Sequence, residues 1–305
     1  MRLKTFFFLS LIFTSNMILS QNAEPFILSD EWLAEIQTIA PAEPTVQTDS
    51  KKHILIFSLH TGFEHWTIPH TEAIIKLISE KSSTYQITTS KDISVFNKKS
   101  LKDFDAIVLN NTCSKPEHRN LFLDAFLQDT TLTEKHSHRL ARKMESNLLN
   151  FVKKGKGLIV LHGGITMLNK SSEFSTMIGG SFDYHPKQQQ IQINLVDSKH
   201  PLVNAFKGQS FSHIDEPYFF NNAYTDTNFR PLLSMNANEV IGKREGPKQN
   251  IQYLSWIKKY GNGRVFYCAP SHNPQSYRNP QLLQFLLDGI QYAAGDLKCD
   301  DSPLK

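Results

Sequence analysis

Continuous apolar runs alternate with polar and helical segments along the first half of the chain. HILIFS at 53–58, AIVLN at 106–110 and GLIVL at 157–161 are typical of strands buried on both faces. A helical pattern from Ile74 to Ile78 follows the first run, and YQITTS after it indicates a further strand. This alternation predicts an α/β fold with a doubly wound parallel sheet.

The second half of the chain has a different pattern. IQINLVD, NEVIGKRE, QYLSWIK and RVFYCAP predict added antiparallel strands, with Gly261-Asn262-Gly263 as a hairpin turn between the last two. Apolar residues from Leu283 to Ile290 predict a final helix over 280–293. The polar stretch QDTTLTEKHSH at 128–138 is expected to be a surface insertion before a helix over 139–153.

The N-terminal residues predict export. Arg2 and Lys4 precede an apolar stretch over 6–19 and then small polar residues, the layout of a signal peptide with cleavage near Ser20. Because the apolar stretch is short and interrupted by polar residues, we expect no stable membrane anchor and a periplasmic or secreted protein. The expected division is a signal peptide at 1–20, an exposed leader or linker at 21–50 with a short helix near 32–39, one domain at 51–296 and a tail at 297–305.

Composition argues against several classes of function. The 33 Lys and Arg and 29 Asp and Glu give a net charge of +4, and because the cations are scattered, no nucleic-acid partner is expected. The three cysteines, Cys113, Cys268 and Cys299, are too few for a disulfide framework and lack a zinc-finger spacing. No glycine-rich phosphate loop occurs. Composition does not set the oligomeric state.

Histidines gather at the loop ends where ligands bind in this kind of sheet. Ligands lie beyond the carboxyl ends of parallel strands. Of the 12 histidines, those at such loop ends are His60, His65, His162, His185, His213 and His272. Imidazole titrates near neutrality and binds metals, so a cluster at this edge would suit proton transfer or metal binding.

His162 occupies the turn in GLIVLHGGIT where many α/β enzymes carry a nucleophilic Ser or Cys. Gly163 and Gly164 permit close approach of the backbone, and the start of the following helix offers amide groups for an anion or a polarised oxygen. The alternative is that the two glycines only let the helix pack closely on the sheet. The sequence leaves both roles open.

The tract SHIDEPYFF adds Asp215, Glu216 and Tyr218. Neighbouring residues of an extended chain point in opposite directions, so one of the two carboxylates is expected to face a cavity. That carboxylate would orient an imidazole, act as a general base or bind a metal; the alternative is a structural turn before Pro217. Cys113 follows a strand but no nearby pattern designates a base, so thiol catalysis is not expected.

Several ordered motifs resemble the ThuA-like (trehalose utilisation) family over about residues 52–296. They are HTGFEHWTIP, KGKGLIVLHGG, GGSFDYHP, HPLV, DEPYFF and SWIKKYGNGRVFYCAPSHNPQSY, with a final helix that ends GIQYAAGD. The resemblance implies a flavodoxin-like fold of the class I glutamine amidotransferase kind, without the cysteine that those enzymes carry at the elbow. His162 matches the family's elbow histidine, so glutamine hydrolysis is not expected.

The resemblance also implies a site. The catalytic residues are expected to be His65, His162, Glu216 and His272. The ligand-binding residues are expected to be Gly163, His185, Asp215 and Tyr218, joined by Trp66 and Phe182 as aromatic groups that stack on a sugar. A divalent metal such as zinc is the candidate cofactor, with His65, His162, His185 and His272 as candidate ligands. The chain departs from the family at Ser271, where glycine is usual, and at Leu254 to Trp256, where a Pro-x-x-Trp sequence is usual.

The expected function is in carbohydrate catabolism. The resemblance implies a sugar or glycoside as substrate, including 3-keto-sugars, and the residues suit acid–base chemistry by His and Asp or Glu, as in an isomerase, an epimerase or a hydrolase. Two alternatives stay open. One is a non-catalytic carbohydrate-binding accessory protein, and the other is a metal-dependent hydrolase of another small molecule.

Overall fold

A computed structural model describes residues 23–48, 50–245 and 250–304. The predicted signal peptide at 1–20 lies outside these residues. Among the described helices, none combines the length and the apolar content that crossing a lipid bilayer requires.

A nine-stranded sheet forms the centre of the described chain. The described residues form eleven strands, nine of which belong to this sheet: β1 (Lys52–Phe57), β2 (Tyr85–Ser90), β3 (Ala106–Asn110), β4 (Gly157–Leu161), β5 (Ser181–Tyr184), β6 (Gln189–Leu195), β7 (Phe211–Asp215), β8 (Phe219–Asn221), β9 (Arg230–Asn236), β10 (Ile251–Tyr260) and β11 (Gly263–Cys268). Their order in the sheet is β2-β1-β3-β4-β11-β10-β9-β6-β7, and β5 pairs with β8 separately. The pairs from β2 to β11 are parallel, and those from β11 to β7 are antiparallel.

The apolar runs of the sequence form the parallel strands. All residues of β3 and β4, and the last four of β1, are buried, because helices cover both faces of a sheet of this kind. The predicted doubly wound parallel sheet with added antiparallel strands is therefore confirmed. β11 joins its two parts, since it pairs in parallel with β4 and antiparallel with β10.

The described ranges contain six α-helices. They are α1 (Asp30–Ile39), α2 (Ile68–Lys81), α3 (Leu121–Phe126), α4 (Glu134–Lys153), α5 (Ser172–Ile178) and α6 (Pro280–Ala293). The predicted insertion at 128–138 is partly wrong, because its last five residues form the first turns of α4. Thr133 caps that helix by accepting a hydrogen bond from the His136 N–H.

The predicted strand at NEVIGKRE is wrong. The chain there forms a short 3-10 helix, Ala237–Glu239, followed by a turn. Gly242 in the turn has a φ of +77°, which a continuing strand does not adopt. The apolar pair Val240-Ile241 therefore belongs to a loop after β9, and Ile241 is exposed.

The segment before β1 packs on the domain. Its helix is at the predicted place, but the segment is not an exposed leader, because Trp32 and Ile36 of α1 are buried in the core. Thr45 donates a hydrogen bond to Asp288 on α6 at 2.7 Å, and the Val46 N–H donates to Gln291 at 3.1 Å. The C-terminal residues also pack, since Leu297 is buried.

The contact of this segment with Asp288 predicts a pH-dependent stability. Burial raises the pKa of Asp288 to about 6, against the hydrogen bonds from Thr45 and Gln284 that lower it. The folded state therefore holds the proton more tightly than the unfolded state, and stability is lost as the pH rises from about 4 to about 6. Asp288→Asn keeps the accepting oxygen without the charge, and should stabilise the protein by about 1–3 kcal/mol above pH 6.

Urea unfolding of both proteins at pH 4 and at pH 8 measures this difference. The gain from Asp288→Asn should appear at pH 8 and be largely absent at pH 4. An equal difference at both pH values would show that the buried charge is not its origin.

Candidate functional site

A cavity of about 270 Å³ opens at the carboxyl edge of the parallel strands. The loops after β1, β3 and β4 reach it with His65, Cys113 and Thr166. β5 and the connection between β7 and β8 form the opposite side. The predicted site residues that line the cavity are His65, Phe182, His185, Glu216 and Tyr218. His162 and His272 lie next to it and bond to Glu216.

The backbone at His162 is a strained elbow. The residue follows β4 directly and has a φ of +43°, in the left-handed region that a bulky side chain seldom adopts. Its Nδ1 lies 2.9 Å from the Ala269 carbonyl beyond β11, and its ring lies 4.1 Å from that of Tyr218. The elbow that carries a nucleophile in related folds thus holds a fully buried imidazole here.

Three atoms form a nearly equilateral triangle beside the cavity. His162 Nε2 lies 3.2 Å from Glu216 Oε2 and 3.1 Å from His272 Nδ1, and the last two atoms are 3.2 Å apart. With one atom of His65, all four ligand atoms lie within 4.8 Å of one another. The parallel strands β1, β4 and β11 and the antiparallel strand β7 therefore bring three imidazoles and one carboxylate to a single point.

The protonation of His162 leaves a lone pair facing this point. Because the Ala269 carbonyl only accepts hydrogen bonds, Nδ1 of His162 carries the proton, and the neutral ring has its lone pair on Nε2. That lone pair faces a carboxylate oxygen of Glu216 and a nitrogen of His272. Two acceptors this close, His162 Nε2 and Glu216 Oε2, are satisfied either by a proton on His272 Nδ1 or by a metal ion held between the three atoms.

The titrating groups of the triangle carry such a proton in the absence of a metal. Burial opposes the charge on Glu216, but hydrogen bonds and charges from His162 and His272 outweigh it and lower the pKa of the carboxyl. Burial likewise works against charge on His272, but its hydrogen bond to the Glu216 carboxylate and the charges of Asp215 and Glu216 outweigh it and raise the pKa of this imidazole. Burial, together with the charges of His162 and His272, lowers the pKa of His65 well below its ordinary value, so His65 stays neutral.

His185 and Tyr218 line the cavity outside the four-residue cluster of His65, His162, Glu216 and His272. His185 Nδ1 lies 2.9 Å from the Pro186 carbonyl and 3.8 Å from Glu216 Oε1, and its ring stacks on Tyr218. The four side chains whose atoms lie close enough to hold one metal ion therefore differ from the four predicted histidines, because Glu216 takes the place of His185. Burial and the charge of Glu216 raise the pKa of Tyr218, so its hydroxyl keeps the proton.

Asp215 and Glu216 point in opposite directions, as the extended tract predicts. Asp215 is buried beneath the cavity, where it pairs with His213, and its Oδ1 accepts the Glu216 N–H at 2.8 Å. The prediction that Asp215 binds ligand does not fit this position, because its carboxylate oxygens are used by protein groups. It holds the backbone that carries Glu216.

Gly163 and Trp66, predicted to bind ligand, do not line the cavity. The Gly163 N–H donates to Asn111 Oδ1 at 3.1 Å, so the amide expected to bind an anion already has a partner. A Cβ at Gly164 would lie 2.5 Å from the Leu109 carbonyl, which supports the packing role of the glycine pair. Trp66 packs on Phe26, with ring centroids 5.7 Å apart, because the N-terminal segment covers it.

Four polar residues of the lining were not predicted as site residues. They are Cys113, Ser114, Arg119 and Thr166. Cys113 Sγ lies 3.6 Å from His65 Nδ1 and donates to the Gly163 carbonyl at 3.4 Å. Burial raises its pKa to about 12, against a weaker opposite effect of Thr166, so the thiol stays protonated and is a poor nucleophile. The position of these residues after β3 and β4 is the signal that could have found them.

Comparison with known proteins gives a family and two similar folds. The family model ThuA, described as trehalose utilisation, matches residues 53–293. A ThuA-like protein of Bacteroides uniformis is 16% identical with a TM-score of 0.61, covering 82% of this chain and 94% of the other. A ThuA-like protein of Parabacteroides merdae is 17% identical with a TM-score of 0.56, covering 84% and 98%. No protein of curated function matches the sequence.

Proposed function

The chain belongs to the ThuA family, described as trehalose utilisation, and we propose that it is an exported, metal-dependent enzyme that transfers protons on a sugar or keto-sugar. The triangle of His162, Glu216 and His272 carries the proposal. For a tetrahedral zinc with bonds of about 2.0–2.1 Å, neighbouring ligand atoms are about 3.3 Å apart. The three edges of the triangle, 3.2, 3.1 and 3.2 Å, are close to this value.

Two further features of the cluster fit a metal. His162 is oriented by the bond from its second ring nitrogen to a backbone carbonyl, the support that metal-ligating histidines usually have. Glu216 is held from behind through its N–H by Asp215. A divalent ion bound there supplies a Lewis acid that polarises a carbonyl or hydroxyl oxygen of the substrate. In this assignment His65, His162, Glu216 and His272 bind the ion, rather than exchange protons with substrate.

His185 is then the proton-transfer group. Its Nδ1 faces the Pro186 carbonyl, so the neutral ring has a basic Nε2 available in the cavity wall. On a keto-sugar it would accept the proton from the carbon next to the carbonyl and deliver it to the former carbonyl carbon, while the hydroxyl proton moves to the other oxygen, which isomerises the sugar. The protonated Tyr218 hydroxyl is suited to donate a hydrogen bond to a substrate oxygen.

The size of the cavity sets the size of the substrate. Small-molecule sites range from roughly 300 to 1,000 Å³, and the volume of about 270 Å³ suits one sugar unit rather than an enclosed disaccharide. The rings of Phe63, Phe182 and Tyr218 line the cavity and are placed to stack on the faces of such a sugar unit. A glycoside would extend its second unit past Phe63, which is exposed at the mouth.

The His185→Ala variant tests the proposed chemistry. Protein purified without chelators would be analysed for metal and assayed on disaccharides, glucosides and their 3-keto derivatives. We expect the variant to keep the metal and lose turnover by roughly 10²–10⁴-fold, because a general base contributes that much. His60→Ala is the matched control, since His60 is a histidine of the loop after β1 that pairs with the exposed Glu64 and does not line the cavity.

Two results would refute the proposal. One is a wild-type protein that turns over these sugars at full rate without metal. The other is a His185→Ala variant with the activity of the His60→Ala control.

A further inference from the structure

We propose that the substrate carries a carboxylate, bound by the guanidinium of Arg119, so that its class is a sugar acid or keto-sugar acid. The inference rests on the proposed function and narrows its substrate. Arg119 belongs to the wall of the cavity, and of the described lining residues it alone is a Lys or Arg.

The guanidinium of Arg119 has no carboxylate partner in the described part of the chain. Arg230, Arg244 and Arg278 each lie within 4 Å of a carboxylate oxygen of Asp197, Asp183 and Glu35, respectively. The other described arginines without such a partner are Arg139, Arg142 and Arg264, and none of these three lines the cavity. The hydrogen bond of Arg119 is made by its backbone, from the N–H to the Lys115 carbonyl at 2.8 Å. A cation without a carboxylate partner among the described residues is available to a ligand.

The turn that carries Arg119 is built on a buried carboxylate. Asp124 accepts the Lys115 N–H at 2.8 Å and the Thr61 hydroxyl at 2.6 Å through Oδ2, and its Oδ1 lies 2.6 Å from His118 Nδ1. These bonds tie the loop after β3 to the loop after β1. Arg119 itself has a φ of +52°, an uncommon conformation for a residue with a side chain. The backbone that carries the Arg119 side chain is therefore held at the wall of the cavity.

The rest of the cavity does not balance this charge. Glu216 is the one carboxylate among the described lining residues, and its charge is taken up by His162 and His272. A metal ion in the cluster would make the cavity more positive still. Arginine recognises a planar carboxylate through two parallel hydrogen bonds, which a neutral sugar hydroxyl does not match.

Matched pairs of sugars test the inference by calorimetric titration of the metal-loaded protein. Glucuronate and glucose, and galacturonate and galactose, differ by a carboxylate in place of a hydroxymethyl group. We expect each uronate to bind about tenfold or more tightly than its neutral partner. Arg119→Ala should remove the difference, whereas Arg119→Lys should keep part of it. Lys115→Ala, on the exposed side of the same turn, should keep all of it.

Three outcomes would overturn the inference. They are wild-type protein without preference for the uronates, a preference that survives Arg119→Ala, and tighter binding of glucose 6-phosphate than of glucuronate. Metal analysis of the same samples separates the two proposals. A protein that binds metal but does not prefer the uronates would refute only the proposal that the substrate carries a carboxylate. A protein without metal whose uronate preference depends on Arg119 would refute only the proposed metal chemistry.

Discussion

A His162→Ala variant should purify without the metal that we expect in the wild-type protein, and its turnover should fall with it. The substitution removes one corner of the triangle and leaves the Ala269 carbonyl without its donor. Loss of a residue that only supports a ligand weakens metal binding by about 10–100-fold, so loss of a ligand itself should exceed roughly 100-fold. Glu216→Gln, which keeps the shape but removes the charge, should act in the same direction.

Elemental analysis of the purified proteins measures the metal, and far-UV circular dichroism reports whether the variants fold. His60→Ala provides the control for loss of a histidine from the same edge of the sheet, because His60 is outside the four-residue cluster. A folded His162→Ala protein with one metal per chain would contradict the assignment of this residue as a ligand. Loss of metal in the His60→Ala control would contradict the assignment of the site.

The parallel sheet could be predicted because its evidence is local. The strands β1, β3 and β4 are covered on both faces, and this burial requires apolar residues at successive positions rather than at alternate ones. The same local geometry predicts that Asp215 and Glu216 point apart. It also brings His65, His162 and His272 to one edge, because parallel strands end on the same side of a sheet.

The choice of Glu216 over His185 for the cluster is not a local property. It depends on how the loop after β5 and the connection after β7 lie across the strand ends, and both sequences carry residues able to bind a metal. The packing of Trp32 on the domain could not be predicted from the sequence for a similar reason. The periodicity of α1 predicts an apolar face, but the surface that receives it is assembled from distant parts of the chain.

The Gly163 N–H is a second feature that depends on a contact between distant residues. Sequence patterns of an elbow followed by a helix predict a free N–H, and in this chain the Asn111 side chain bonds to it. Asn111 reaches that position from the end of β3 with a φ of +51°, a conformation that asparagine adopts more readily than most residues. This bond removes a donor that acyl-transfer chemistry would need, which strengthens the case against a covalent mechanism at the elbow.

Gly163→Ala should disrupt the site as strongly as the loss of a ligand. An added Cβ would lie 2.6 Å from Cys113 Sγ and 2.7 Å from His65 Cε1, closer than real Cβ contacts allow. Because the 0% exposed His162 is fixed next to it, the strain must move the His65 ring or the elbow. We expect a destabilisation of about 1–3 kcal/mol from overpacking, and a marked loss of metal as His65 leaves the cluster.

A double-mutant cycle with Cys113→Ala distinguishes displacement of His65 from general misfolding. Removing Sγ relieves one of the two close contacts and leaves the one with His65. The double variant should therefore recover part of the unfolding free energy in urea, while its metal content stays low. Cys113→Ala alone should keep the metal, because its thiol is protonated and outside the four-residue cluster. A Gly163→Ala protein with full metal content would show that His65 is not a required ligand, and would reduce the proposed site to the triangle of His162, Glu216 and His272.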